Sequence, residues 1–188
     1  QAATVVHCVD DIEAVREQLD LLGSTHDIVL STGGVGPGAY DVMRQVLEAE
    51  PAVQAARVKI RPGQPQCAGR LEAGAMVFAL PGNPVSAAVS FELFVRPCLR
   101  SMQGHREVLR PTLRAIAAVG WKAAAGRMQV IPVVFEHGDQ LRCAPAVQAQ
   151  SISHSVGGFG AAQGYGLIPA GINQVNPGDE VEVLRMLP

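Results

Sequence analysis

The sequence predicts an α/β domain with a mainly parallel sheet, followed by a small all-β domain. Three observations predict it. Strand-like and helix-like segments alternate as far as Gly104. Beyond that residue, short β-like runs alternate with turns. Within the first part, glycine- and proline-rich loops follow predicted strands, where ligands bind in open α/β sheets.

The elements run as follows. "TVVHCV" is β-branched and reads as a strand. "DDIEAVREQLDLLG" reads as a helix, with Ile12, Val15, Leu19 and Leu22 at helical spacing, acids in its first turn and Gly23 as the stop. "DIVLST" is a short buried-type strand. "YDVMRQVLEAE" is helical again, with Val42, Val46 and Leu47 on one face, and Pro51 ends it. "ARVKIRP" and "AMVFALP" are two more strands. "PVSAAVSFELFVRPCLRSMQG" is a long apolar helix. Its Pro84 takes the first-turn position that proline tolerates, and Pro97 is expected to kink the last turns. Strands alternating with such helices imply βαβ units.

"HREVLRP" then reads as a polar connector, and the boundary falls near residues 104–110, giving domains 1–106 and 107–188. "LRAIAAVGW", "RMQVIPVVFEHGDQLRCAPA", "GYGLIPAG" and "NPGDEVEVLRML" supply the strands of the second domain, with "EHGDQ" as a hairpin turn.

Bulk properties exclude some functions. Of 188 residues 48% are apolar, enough for a core, while 17% are charged and the net charge is −2. That leaves no electrostatic footprint for nucleic acid or an anionic membrane. Cys8, Cys67, Cys98 and Cys143 form no CxxC pair, consistent with free thiols in a reducing cytoplasm. No apolar run reaches the roughly 18 residues of a membrane span. The chain opens inside an apparent strand with no initiator Met or signal core, and so reads as the downstream part of a longer protein.

The stretch "VLSTGGVGPGAYD" carries the chemistry. A triphosphate loop needs GxxxxGK and then Ser or Thr, and no Lys follows here. Gly34, Gly36 and Ala39 satisfy the dinucleotide fingerprint GxGxxG/A, but the next strand ends in Arg61 rather than in the acid that would bind a ribose. The remaining reading is an anion held by backbone N–H groups at a helix entry, with Asp41 as a cap or a Mg²⁺ ligand. A plain helix-entry loop stands beside it. "RPGQP" and "LPGNPVSA" also follow predicted strands. The loops at 33–38, 61–65 and 81–86 are therefore expected to converge on one sheet edge.

"STGGVGPGAYD", "RPGQP" and "LPGNPVSAAVSFELFVRPCLRSMQG" together resemble the molybdopterin molybdenumtransferase family, whose eukaryotic counterpart is the E domain of gephyrin. The resemblance covers nearly the whole chain and is densest between Asp27 and Gly104. It implies a three-layer molybdopterin-binding domain and a small β-barrel-like C-terminal domain. It also implies a reaction: adenylylated molybdopterin and molybdate are taken up, AMP is released, and molybdenum stays on the dithiolene, with Mg²⁺ assisting. A homodimer and a cytoplasmic location are implied as well. The N-terminal domains of the family are missing from this chain, as are the first strand and helix of its α/β domain.

Carried over residue by residue, the resemblance nominates Asp41 and Asp10 as metal or catalytic carboxylates. For Asp10 and Asp11, helix N-capping is the equal alternative. Arg57 and Arg61, nominated as catalytic cations, stand where the family often has Lys. Gly33, Gly34, Gly36, Gly38, Pro62, Gly63, Pro81, Gly82, Asn83, Pro84 and Ser86 form the expected substrate loops. Gly126 and Arg127 match a Gly-Arg motif whose Arg contacts molybdate, and Ser153 falls at the Ser of a Gly-Ser motif, with Ile152 in place of the Gly. Two departures stand out: Gly36 occupies the place of a Ser, and Gln64 that of a Lys.

Elsewhere the bland readings prevail. His7, His26, His105 and His154 suit structural or surface roles. Trp121 and Phe135 suit the small β core, and "SVGGFGAAQGYG" reads as a turning segment. Two other functional classes stay open beside the enzyme: a pterin-binding scaffold that keeps the fold without the reaction, and an NADP-binding oxidoreductase resting on GxGxxA.

Overall fold

The computed structural model describes residues 3–36, 41–146 and 159–186. The chain divides into two compact units. One comprises Gln1–Arg57 and Pro65–Gly82, the other Val58–Gln64 and Asn83–Pro188.

The first unit holds helices α1 (Ile12–Thr25) and α2 (Val42–Glu48) and strands β1 (Ile28–Thr32), β2 (Val53–Arg57), β4 (Pro65–Arg70) and β5 (Met76–Leu80). The strand order is β1-β5-β4-β2. β1 and β5 run parallel, whereas β5–β4 and β4–β2 are antiparallel. The sheet is thus mixed, not mainly parallel. The tight connection from Arg70 to Met76 dictates this, because so short a link joins only antiparallel neighbours. The Leu71 N–H donates to the Ala75 carbonyl and the Gly74 N–H to that of Leu71. β4 begins at Pro65, inside the stretch read from the sequence as a loop.

Alternation explains the core. Val29, Val77, Ala79 and Cys67 share one sheet face by register and are buried. Val15 and Leu19 of α1 and Val46 and Leu47 of α2 complete that cluster. Gly23 does not end α1. The helix runs on to Thr25, and Gly23 packs so tightly that an added Cβ would stand 2.9 Å from the Ala73 Cβ. "TVVHCV" forms no strand among the described residues: Val5, Val6 and Val9 are exposed, and no ladder partner lies beside them. β propensity without a neighbouring strand satisfies no backbone group.

The second unit contains β3 (Ile60–Arg61), α3 (Pro84–Ser90), a π turn (Phe91–Val95), α4 (Arg96–Met102), β6 (Thr112–Ala117), β7 (Trp121–Lys122), β8 (Met128–Glu136), β9 (Arg142–Pro145), β10 (Gly164–Ile168), β11 (Gln174–Val175) and β12 (Glu180–Arg185). The order β10-β12-β6-β9-β8, with an additional β10–β8 pairing, closes a barrel. "EHGDQ" is the predicted hairpin turn between β8 and β9. Predicted strand "ARVKIRP" is split: β2 pairs β4 in the first unit, whereas β3 pairs β8 in the second. Val85 and Val89 of α3 join Ile131, Val133, Val183 and Tyr165 in one core, with Trp121 as expected and Phe135 packed against it.

The long apolar helix does not simply kink at Pro97. Its ladder shifts one residue earlier, where the Arg96 N–H reaches the Phe91 carbonyl. Pro97 has no N–H to donate to the preceding turn, so the widened turn falls where the regular ladder already lacks a donor.

Candidate active site

β1 and β5 are parallel neighbours, so their C-terminal ends meet, with Thr32 opposite Leu80. The Gly33 N–H continues the ladder by donating to the Leu80 carbonyl at 3.0 Å. The chain then turns through positive φ at Gly33 (96°) and Gly34 (65°), a region costly for other residues. Gly82, just beyond β5, comes close enough that a Cβ on it would stand 3.2 Å from the Gly33 Cα. A Cβ on Gly33 would meet nothing within 4 Å. The strand ends therefore present bare peptide groups beside open space. Buried Val35 anchors the loop in the core beneath.

Asp41 precedes α2, yet its side chain makes no capping hydrogen bond. Instead its carboxylate lies over Gly36: a Cβ there would sit 2.9 Å from Oδ2. Arg44 reaches the same glycine from α2, with Nη1 donating to the Gly36 carbonyl at 3.4 Å and Nε to Glu48 at 2.7 Å. The Glu48 hydrogen bond holds the Arg44 proton above its ordinary pKa. Nearby Cys67 has its thiol pKa pushed up by burial, an effect that the Arg44 charge partly offsets.

The two acids ahead of α1 divide their roles. Asp11 Oδ1 accepts from the Glu13 and Ala14 N–H groups at 3.1 and 3.0 Å and so caps the helix. Asp10 is exposed beside it and takes no part in that cap. Among the described residues no group of three or more His, Cys, Asp or Glu is placed to hold a metal. Asp41 and Asp10 supply carboxylate oxygens, the donor type that hard divalent cations take.

Arg57 ends β2 in the first unit and is exposed. In the second unit, Arg61 ends β3 and is joined to Pro62 by a cis peptide bond. The Val58 N–H donates to the Gln64 carbonyl at 2.8 Å and closes this loop, with Pro62 and Gly63 buried inside it. Asn83 caps α3 by accepting from the Val85 N–H at 3.2 Å, and Pro84 occupies the first turn. Ser86 is buried at 5% exposure, within the first turn of the helix. Arg127, half-buried, follows Gly126 (φ 68°) in the turn before β8. Two residues on, the Gln129 side chain is fully buried and neither polar atom has a partner among the described residues. Gly38 and Ser153, and with Ser153 its neighbour His154, lie outside the described residues.

Of the three loops expected at one edge, 33–36 meets Leu80 and Gly82 in the first unit; 61–64 and 83–86 belong to the second. Sequence reading overlooked Arg44. Its signal was the i,i+4 spacing to Glu48, which by itself marks only a surface pair. It overlooked Gln129 too, a polar residue inside the apolar run of β8. The dinucleotide alternative loses its βαβ frame, because β5 and β4 separate β1 from the next strand in sequence, β2.

Comparison with known proteins places the chain. Residues 1–101 match the model described as a probable molybdopterin binding domain, and residues 114–186 match the MoeA C-terminal region, domain IV. "Molybdopterin molybdenumtransferase 2" of Mycobacterium tuberculosis is 31% identical over 182 residues, covering 93% of this chain and 44% of that protein. The molybdopterin molybdenumtransferase of Haemophilus influenzae is 40% identical over 106 residues, 56% of this chain and 26% of that one. A crystal structure of the molybdopterin biosynthesis MoeA protein of Pyrococcus horikoshii superposes with a TM-score of 0.77 at 26% identity, covering 96% of this chain and 42% of that one. The chain thus spans less than half the length of relatives that match it almost throughout. The first of the two family models matches more than half of the chain, so the chain belongs to the molybdopterin binding domain family that it describes, continued by a MoeA-type C-terminal region.

Proposed function

We propose that this chain acts in molybdenum cofactor biosynthesis as a transferase that passes molybdenum from molybdate to adenylylated molybdopterin, with release of AMP. One observation carries the reading: the bare peptide edge where Gly33 meets Leu80 and Gly82 at the ends of two parallel strands. Such an edge suits a flat, phosphorylated ligand, because backbone N–H groups approach an anion without an intervening Cβ.

In this reading Gly33, Gly34, Gly36 and Gly82 contact the pterin nucleotide. Pro81, Pro84 and the Asn83 cap stiffen the second loop and Ser86 is its hydroxyl contact, while Ser153 is a substrate-binding residue by its motif alone. Arg57 and Arg61 offset phosphate charge, and Pro62 and Gly63 shape the loop around Arg61. Arg127 attracts the molybdate dianion. Gly38 completes the glycine loop. Asp41, with Asp10, would hold Mg²⁺; when bound, the ion neutralises phosphate oxygens as the phosphoanhydride breaks. One or two carboxylates with substrate phosphates satisfy that ion, so a site without a third acid fits it. The division at 106/107, a homodimer and a cytoplasmic location belong to the same proposal. Among the described residues, no helix is long and apolar enough to cross a membrane.

A second reading, a pterin-binding scaffold without turnover, draws on Gly36 and Gln64, where a hydroxyl and a charge are lost. One experiment separates the two. The chain is incubated with adenylylated molybdopterin, Mg²⁺ and molybdate, and bound nucleotide and free AMP are measured. Molybdate-dependent AMP release supports the transferase. Binding without release supports the scaffold, and absence of binding rejects both.

A further inference from the structure

We propose that Arg44 is a positioning residue of the glycine loop: it clasps the Gly36 carbonyl so that the turn at Gly33 and Gly34 keeps its ligand-facing shape. The ligand in question is the pterin nucleotide of the proposed function, and the proposal rests on that reading. An i,i+4 pair such as Arg44–Glu48 on an exposed helix face ordinarily contributes little. Here the same guanidinium does something a surface pair does not. Its Nη1 reaches back eight residues to the Gly36 carbonyl at 3.4 Å, while Nε stays on Glu48 at 2.7 Å.

The backbone of residue 44 adds a second tie. Its N–H donates to the Gly34 carbonyl at 2.9 Å. Two carbonyls of the loop, two residues apart, therefore end on one residue of α2. Asp41 also lies against Gly36, its Oδ2 where a Cβ would be crowded. Gly36 is thus held between a cation on its carbonyl and a carboxylate on its Cα. Beneath it, Val35 is buried. Glu48 is the orienting partner: it fixes the guanidinium plane so that Nη1 faces the loop. The planar fork matters, because its separate nitrogens aim at two partners in fixed directions, whereas a lysine's compact ammonium must serve both from a single point.

The test uses three variants of the chain, Arg44→Met, Arg44→Lys and Glu48→Ala, with two readouts. The first is hydrogen exchange at the amides of residues 33–36 in the ligand-free chain. The second is the dissociation constant for adenylylated molybdopterin. Arg44→Met is expected to speed exchange at the Gly33 amide and to weaken binding about five-fold, the equivalent of one ordinary hydrogen bond. Glu48→Ala, which removes only the orienting partner, should move both readouts the same way by less, and it serves as the test if Arg44→Met does not fold. Arg44→Lys should recover affinity only in part. Unchanged exchange overturns the clasp; so does faster exchange with unchanged affinity, and so does full recovery by lysine. If the unaltered chain binds no pterin nucleotide, the functional reading fails and the exchange measurement alone decides the clasp.

Discussion

The Asp41 carboxylate covers Gly36, standing where a side chain at position 36 would need to be: an added Cβ would lie 2.9 Å from Oδ2. Gly36 does not have positive φ, so its backbone accepts other residues. Gly36→Ser should therefore fold and displace Asp41 rather than break the loop. The expected stability change is within about 1 kcal/mol, as for most substitutions that flexible side chains can accommodate. Gly34→Ala should cost more, about 1–2 kcal/mol, because it combines positive φ with a 3.0 Å approach to the Met43 Cβ. Urea denaturation of both variants checks the contrast, and an equal loss in the two would contradict it.

Asp11 and Asp10 make a matched pair of controls. Asp11→Ala removes the α1 cap and should destabilise by about 1 kcal/mol. Asp10→Ala should leave stability within about 0.5 kcal/mol and lower Mg²⁺ binding if Asp10 shares the cation site. Thermal unfolding and titration with Mg²⁺ read the two effects separately.

Capping shows what was legible in the sequence. "DDIEAV" announces a helix start, but two adjacent acids compete for one cap, and only backbone geometry chooses Asp11. Likewise "NPVSAAVS" announces both the Asn83 cap and the first-turn proline. The sheet was harder. "PQCAGR" has little of the β-branched character that marks strands, yet Cys67 and its neighbours pair on both sides, so tertiary pairing overrides propensity. "TVVHCV" is the reverse case: strong propensity and no partner. At the site, the glycines were visible because positive φ favours their residue type. Arg44 was not, because its partner is a carbonyl, which leaves no trace in side-chain spacing.

Arg127→Ala should raise the molybdate concentration needed for AMP release several-fold, with nucleotide affinity unchanged. The residue sits in a tight turn, its N–H donating to the Ala124 carbonyl at 3.3 Å, so truncating the side chain leaves the backbone in place. An unchanged molybdate dependence removes Arg127 from the oxyanion site.

Glu92 carries the ion network of the second unit. It accepts from Arg110 and lies 3.4 Å from Arg96, while Arg110 also donates to the Met186 carbonyl at 2.7 Å. Its side chain is 9% exposed. Glu92→Ala takes the carboxylate from two arginines, each of which keeps a backbone carbonyl, and should cost about 2 kcal/mol. Glu92→Gln, which keeps an acceptor, should cost less. Chemical denaturation orders the two variants, and the reverse order would refute the network's role.

Alkaline pH should loosen the fold. Burial pushes the Cys143 thiol from 9.0 up to about 11. Burial also raises Tyr165, and Cys67 in the other unit. A raised pKa on these acids means that the folded state prefers the neutral form. The stability is present in full below pH 9 and is lost as pH climbs toward 11. The Cys143 share is on the order of 2 kcal/mol. Urea midpoints at pH 7.5, 9 and 10.5 should fall in that order, and Cys143→Ala should flatten the decline.

The widened turn at Phe91–Val95 acts as a phase shifter. Each residue of an α-helix advances the side-chain direction by about 100°, and the shifted Arg96–Phe91 bond inserts one such step. Everything beyond it faces a direction that an uninterrupted helix would not give, including Arg96, whose Nη1 holds the Val108 carbonyl at 3.1 Å. Deleting a single residue here could restore a regular helix and still misdirect the chain that follows. In this stretch, length is constrained as tightly as residue type.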